Sequence, residues 1–227
     1  CGDDRAMTAS HPIPLSVVVT TLNNAATLEN CLASTAWADE LVVLDSGSTD
    51  ATVDIARRFG ARVLTHPFEG YSRQKQRAID AATHDWVLLL DADEALGRAA
   101  AAQIRAVLVT GPECDAYTLP RIEQLFWRWT SERVRLNHFL RLFDRRTTSM
   151  NDVPIHAAPQ TRGRLGRLSE GFYHFGEPDI HTKVDKLNYY STGLVEHKVA
   201  GGRVSSPWRL VLYPPIAFVR SYVLKRN

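Results

Sequence analysis

Cysteine is scarce in this chain: Cys1, Cys31 and Cys114 are the only three in 227 residues, widely spaced and without a CxxC pair. That pattern excludes a disulfide framework and fits a reducing compartment. No apolar run is long enough to span a bilayer, and no secretory leader is visible. Glycine-rich signatures are missing as well. There is no GxGxxG after the first strand, no Walker A lysine motif and no GxSxG elbow, which disfavours dinucleotide enzymes, P-loop NTPases and hydrolases of the α/β type. Internal repeats and low-complexity tracts are also absent.

What is present divides by charge. With 44% hydrophobic residues, the chain is able to bury one large core, or one core with a small appendage. The net charge of +2 conceals an asymmetry, because residues 1–100 carry 8 Lys/Arg against 14 Asp/Glu and residues 101–227 carry 19 against 11. Different partners are expected for the acidic and basic parts, and nucleic acid is not among them.

Residues 1–14 read as an unstructured lead-in, with Met7 a natural start, and the stop at Asn227 reads as a chain cut short. Residues 15–21 are a β-branched strand followed by Leu22-Asn23-Asn24, after which Thr27 is placed to cap a helix through Leu28, Cys31 and Leu32. Residues 41–45 form a second apolar strand ending in Asp45. The turn Ser46-Gly47-Ser48-Thr49-Asp50 offers caps for a helix over 51–59. A short strand at 62–65, a helix over 72–82 and a strand at 87–91 complete the series. Alternation at these intervals predicts an α/β fold with a mostly parallel central sheet flanked by helices, whose ligands bind at the carboxyl ends of the strands.

The strand at 87–91 is four apolar residues followed by Asp91, Ala92, Asp93 and Glu94. In an extended segment Asp91 and Asp93 project to the same side. Two carboxylates that close repel each other unless a cation or a donor sits between them, and hard oxygen ligands suit Mg²⁺ or Mn²⁺ completed by a diphosphate. Chance occurrence, with the acids merely solvated, is the competing reading. Thr21, Asp45 and Asp91 all fall at strand ends, where an acid is a natural acceptor for ribose hydroxyls or a base N–H. Lys75 and Arg73 either add cationic contacts to a diphosphate or lie on a solvated helix face.

The segments 16–23, 43–50 and 90–94 resemble the three signatures of glycosyltransferase family 2. Trp37-Ala38-Asp39-Glu40 and Gln74-Lys75-Gln76 narrow the resemblance to lipopolysaccharide core glycosyltransferases of the WaaE/KdtX type, many of them β-1,4-glucosyltransferases. The resemblance runs from about Leu15 to Leu108 and more faintly to His197. It implies a GT-A fold, a nucleotide-sugar donor and inversion at the anomeric carbon. Thr20, Thr21, Asn23, Asp45, Lys75 and Asp91 would then hold the nucleotide and Asp93 the metal. Ser46 stands where many members carry a second Asp, and Ala157 stands where the subfamily usually has a Glu that is the attractive general base. Asp152 and His156 are the local substitutes for that base, with Glu170 behind them.

The remainder carries the acceptor side. Residues 116–121 and 140–144 read as strands. Phe126-Trp127-Arg128-Trp129 reads either as a surface that stacks on sugars and pairs with phosphates, or as a helix with its aromatics in the core. His174 and His181 are ligands by type but read better as satisfied structural histidines. From Ser205 the chain turns apolar and aromatic with spaced Arg/Lys and two prolines. That composition suits either a membrane interface or docking on protein.

The expectation is therefore an inverting, metal-dependent hexosyltransferase, UDP-sugar being the favoured donor and a lipid-linked saccharide such as a lipopolysaccharide inner core the acceptor. Residues 15–200 would form the catalytic domain, with a nucleotide-sugar half at 15–110 and an acceptor half at 111–200. An interface or docking segment follows at 205–227. The protein would be cytoplasmic and peripheral at the inner face of the cytoplasmic membrane. The alternatives are a nucleotidyltransferase and a sugar- or nucleotide-binding protein that has lost catalysis.

Overall fold

In a computed structural model of the chain, residues 13–130, 136–151, 157–177, 179–202 and 206–220 are described. The chain divides into two units: the described residues up to Glu123 together with those from Leu136 to Phe175, and the described residues of 124–135 together with those from Gly176 onward.

The first unit is built on β1 (Leu15–Thr21), α1 (Leu28–Thr35), β2 (Glu40–Asp45), α2 (Thr52–Arg58), β3 (Arg62–Thr65), α3 (Tyr71–Asp80) and β4 (Trp86–Asp91). The four strands lie parallel in the order β3-β2-β1-β4. The apolar runs of β1, β2 and β4 are buried on both faces, and the period-two alternation sends successive residues to opposite layers. Val17, Val19, Val43, Leu88 and Leu90 pack with Leu28, Leu32 and Ile55 on one side. Val18, Val42, Leu44, Val87 and Leu89 pack with Ala78 and Ile79 of α3 on the other.

Beyond β4 the sheet becomes antiparallel. After β5 (Glu94–Leu96) and α4 (Arg98–Thr110) come β6 (Ala116–Leu125), β7 (Arg128–Trp129) and β8 (His138–Asp144). β8 pairs antiparallel with both β4 and β6. β9 (Thr148–Met150) and β10 (Pro159–Thr161) make a separate two-stranded sheet. β11 (Leu165–Arg167) lies parallel to β6, and β12 (Phe172–Glu177) runs antiparallel to β5.

In the second unit, Gln124 and Leu125 pair antiparallel with Trp129 and Arg128 across a tight turn. Phe126 takes a left-handed φ of 57° in that turn. The helix with core aromatics is thus replaced by a hairpin, with Trp127 80% exposed at its tip. α5 (Ile180–Ala200) and α6 (Pro207–Phe218) follow. Among the described residues no helix is long and apolar enough to cross a membrane.

Local signals set the element ends unevenly. Ala51 is the α2 N-cap and makes no side-chain cap, while Asp50 just before it accepts the Thr52 N–H at 3.0 Å. Thr27 stands at the α1 N-cap, but its buried hydroxyl has no partner, so the expected side-chain cap is not made.

Candidate active site

Strand order reverses at β1: β2 and β3 extend to one side of it and β4 to the other. In open α/β sheets ligands bind at such a switch point, outside the carboxyl ends of the strands. The register makes the convergence explicit, since Thr20 is paired with Asp91 and Thr21 with Asp45.

Asp45 is buried and committed to its own turn. Its Oδ2 accepts the N–H groups of Gly47 and Ser48, both at 2.9 Å, and its Oδ1 accepts the Ser48 hydroxyl at 2.5 Å. Gly47 sits at φ +98°, which a side chain would strain. The β1 loop is stitched to this turn: the Asn23 N–H donates to Ser48 Oγ at 2.8 Å, and Asn23 Oδ1 accepts the Thr49 N–H at 2.9 Å. Asn23 holds φ at 53°, one of the residue types that tolerate the left-handed region. Thr21 Oγ1 lies 3.2 Å from Asn24 Oδ1.

Three consecutive residues of α3 tie that helix to three parts of the site. Gln74 Nε2 donates to Ser46 Oγ at 2.9 Å and to the His66 carbonyl at 3.0 Å. Lys75 Nζ reaches Asp91 Oδ1 at 2.5 Å. Gln76 Oε1 accepts the Met150 N–H at 2.8 Å. Gln74 and Lys75 are buried, whereas Arg73 is on the exposed face of the helix. Ser46 thus serves as the anchor for Gln74.

The expected extended course of Asp91-Ala92-Asp93 is not observed: Asp91 ends β4, and Ala92 and Asp93 form a turn into β5. The cause is Glu94, whose Oε2 accepts the Asp91 N–H at 3.0 Å and closes the turn. Arg141 of β8 then bridges the acids, at 2.6 Å from Glu94 Oε1 and 3.5 Å from Asp91 Oδ2. Its guanidinium packs near the rings of Phe139 and Phe172. Burial alone raises the pKa of Asp91, but Lys75 and Arg141 outweigh it and hold the carboxyl at about 2. Glu94 is displaced upward by burial, against the pull of Arg141. The protein's own cations therefore neutralise Asp91, and Asp93 is left facing differently. Its Oδ2 is 3.4 Å from His174 Nε2 and its side chain is 26% exposed. Burial lowers the pKa of His174, but the contact with Asp93 overrides this and raises it.

His174 is thus satisfied by a partner, as expected of a structural histidine, and that partner is Asp93. His181 is exposed on α5, beside Asp185 at 3.3 Å. Among the described residues no group of three or more His, Cys, Asp or Glu side chains is placed to hold a metal ion. Asp152 and His156 lie outside the described residues. The flanks of their segment are anchored, with Asn151 N–H donating to the Ala158 carbonyl at 3.0 Å and Ala158 N–H donating back to Asn151 Oδ1 at 3.1 Å. Ser72 on α3 hydrogen-bonds the Asn151 carbonyl, which ties those flanks to the helix that carries Lys75. Glu170 is exposed, with its N–H on Gln103 Oε1 at 3.1 Å. Sequence reasoning gave no role to Arg141, and it did not pair Glu94 with Arg141 or His174 with Asp93. A charged residue inside the apolar alternation of residues 140–143 was the available signal for Arg141.

A parallel α/β half with acids at its switch point, continued by an antiparallel half, is the arrangement of GT-A glycosyltransferases. The crystal structure of S. aureus TarS 1-349 superimposes with a TM-score of 0.52, covering 72% of this chain and 61% of that one at 15% identity. Residues 16–162 match the family model for glycosyl transferase family 2. The lipopolysaccharide core biosynthesis glycosyltransferase LpsC of Rhizobium meliloti is 31% identical over 219 residues, 92% of this chain and 81% of LpsC. A glycosyltransferase of Rickettsia felis is 28% identical over 226 residues, 93% of this chain and 80% of the relative. The chain belongs to glycosyltransferase family 2 and is a glycosyltransferase, which removes the nucleotidyltransferase alternative.

Proposed function

We propose that the protein transfers a hexose from a UDP-sugar to a lipid-linked saccharide, with inversion, at the cytoplasmic face of a membrane. The observation that carries this reading is the pairing of Thr20 with Asp91 and Thr21 with Asp45 across the switch point, which gathers acceptor groups at the carboxyl ends of neighbouring strands. The similarity to LpsC supports the acceptor class. The nucleotide side comprises Thr20, Thr21, Asn23, Asp45, Lys75 and Asp91. Asp45 acts mainly by shaping its turn. Asp91, ionised and 31% exposed, is left as the acceptor for a ribose hydroxyl or base N–H. Residues 15–110 serve the donor and 111–200 the acceptor.

A divalent cation, Mg²⁺ or Mn²⁺, fits this donor set in part. Asp93 would offer a carboxylate and His174 an imidazole, with the remaining oxygens supplied by a bound donor. When bound, the cation offsets the charge that develops on the diphosphate leaving group. Asp152 removes the proton from the attacking acceptor hydroxyl, and His156 hydrogen-bonds the donor phosphates or the acceptor. Ala157, where the subfamily Glu is missing, supports a second reading: a chain that binds donor without efficient transfer. A panel of labelled nucleotide-sugars with Mn²⁺ and a lipid-linked acceptor separates the two. Labelled product from a UDP-sugar is expected, whereas binding without product selects the second reading.

A further inference from the structure

Helix α6 has no buried residue. Trp208, Leu210, Val211, Tyr213, Ile216 and Phe218 are all exposed. From residue 207 to 220 the only charged side chains are Arg209 and Arg220. Eleven residues make three helical turns to within about 20°, so both arginines share one stripe. At 100° per residue, Val211 and Phe218 fall on the opposite side, with Trp208 and Leu210 on the flanks. Residues 201–227 hold five basic residues, Arg203, Arg209, Arg220, Lys225 and Arg226, and no acid.

Charge selects what covers this face. A second copy would bring the same basic segment against it, and like charges oppose that pairing. A surface of anionic headgroups complements it. Twelve residues span about 18 Å, too short to cross a hydrocarbon core of about 30 Å, so the helix lies along the surface. Pro214 and Pro215 leave carbonyls of the preceding turn without amide partners, a backbone suited to the wet interface and not to the bilayer interior.

We propose that α6 lies in the interface of a bilayer carrying anionic lipid. Val211, Phe218, Trp208 and Leu210 enter the acyl boundary, and Arg209 and Arg220 reach the headgroup phosphates. This specifies how a membrane-face enzyme holds its acceptor's surface, and it stands without any assumption about donor or sugar.

The test is co-sedimentation of the full chain with vesicles of phosphatidylglycerol and phosphatidylcholine, and with phosphatidylcholine alone, in the absence of nucleotide-sugar. Binding to the anionic vesicles is expected, only partly reversed by salt because the apolar contribution is not screened. Arg209→Glu with Arg220→Glu should weaken it by about 30-fold or more, at roughly 5-fold per basic residue near the surface. Val211→Asp with Phe218→Asp should abolish it; both positions are exposed, so an unchanged melting curve controls for folding. The proposal is overturned if the parent chain stays in the supernatant, or if either double variant binds like the parent. It is equally overturned if α6 substitutions abolish a concentration-dependent dimer and no vesicle binding is seen. Because no donor is present, none of these results bears on glycosyl transfer.

Discussion

The two edges of the parallel sheet use the same residue types for different ends. At the amino edge, Glu40 is saturated: its Oε2 accepts from Ser16 Oγ at 2.6 Å and Thr83 N–H at 2.7 Å, and its Oε1 accepts from Arg62 at 2.7 Å and Thr83 Oγ1 at 2.8 Å. At the carboxyl edge Asp45 and Asp91 are also well partnered, yet Asp93 keeps a partly exposed carboxylate that lies 3.4 Å from the His174 imidazole. A half-buried acid with every lone pair taken stabilises the fold. One held in place by saturated neighbours, and still open to a ligand, is equipped for chemistry.

The sharpest way to break this comparison is to remove the cation that holds the carboxyl edge together. Arg141→Met leaves Glu94, 1% exposed, without its counter-charge, and a loss of about 3–5 kcal/mol in denaturant unfolding is expected. Adding Glu94→Gln should restore part of that loss. A single-variant cost under about 1 kcal/mol would show that Arg141 does not carry the turn.

Asp93→Ala should do the converse. Unfolding stays close to that of the parent, while turnover falls by about 10³-fold or more, as when stabilisation of a leaving group is lost. Mn²⁺-induced thermal stabilisation should vanish with it. Normal transfer by this variant in EDTA would show that the metal assignment is wrong.

Next in size is the base. Asp152→Asn should lower kcat by roughly 10²-fold with donor affinity little changed, whereas His156→Ala should weaken donor or acceptor binding. If the two variants exchange these behaviours, the roles are reversed.

The carboxyl edge was only partly legible in the sequence. Apolar runs ending in acids announce the parallel strands, because a strand buried on both faces has no other pattern and its end must meet solvent. Gln74, Lys75 and Gln76 stood out as a motif, but only the fold shows that each ties α3 to a different neighbour. Arg141 and Glu94 are 47 residues apart, and their meeting depends on β8 returning antiparallel beside β4, which no local spacing encodes. The turn at Asp93 was misjudged for the same reason: extended alternation is the default after a strand, and Glu94 overrides it by a bond to the Asp91 N–H. The hairpin at Trp127 was ambiguous because aromatic spacing alone does not separate a buried helix from an exposed turn.

The smallest expected effect probes the amino edge alone. Burial raises the pKa of Glu40, but hydrogen bonds from Ser16, Thr83 and Arg62 outweigh it and lower the carboxyl to about 2. A depressed folded-state value means that the stabilisation is fully present above the ordinary Glu pKa of about 4.3 and is lost as pH falls through about 2. Glu40→Gln, which retains an acceptor but loses the charge, should therefore cost about 2 kcal/mol near neutral pH and almost nothing near pH 2. Sugar transfer at neutral pH should be unchanged, since the residue sits at the opposite end of β2 from Asp45. The measurement is a set of denaturant unfolding curves across the acid range beside one turnover assay. A constant stability difference at all pH values would assign the cost to packing and not to charge. A loss of turnover in the folded variant would join the two edges functionally and defeat the separation drawn between them.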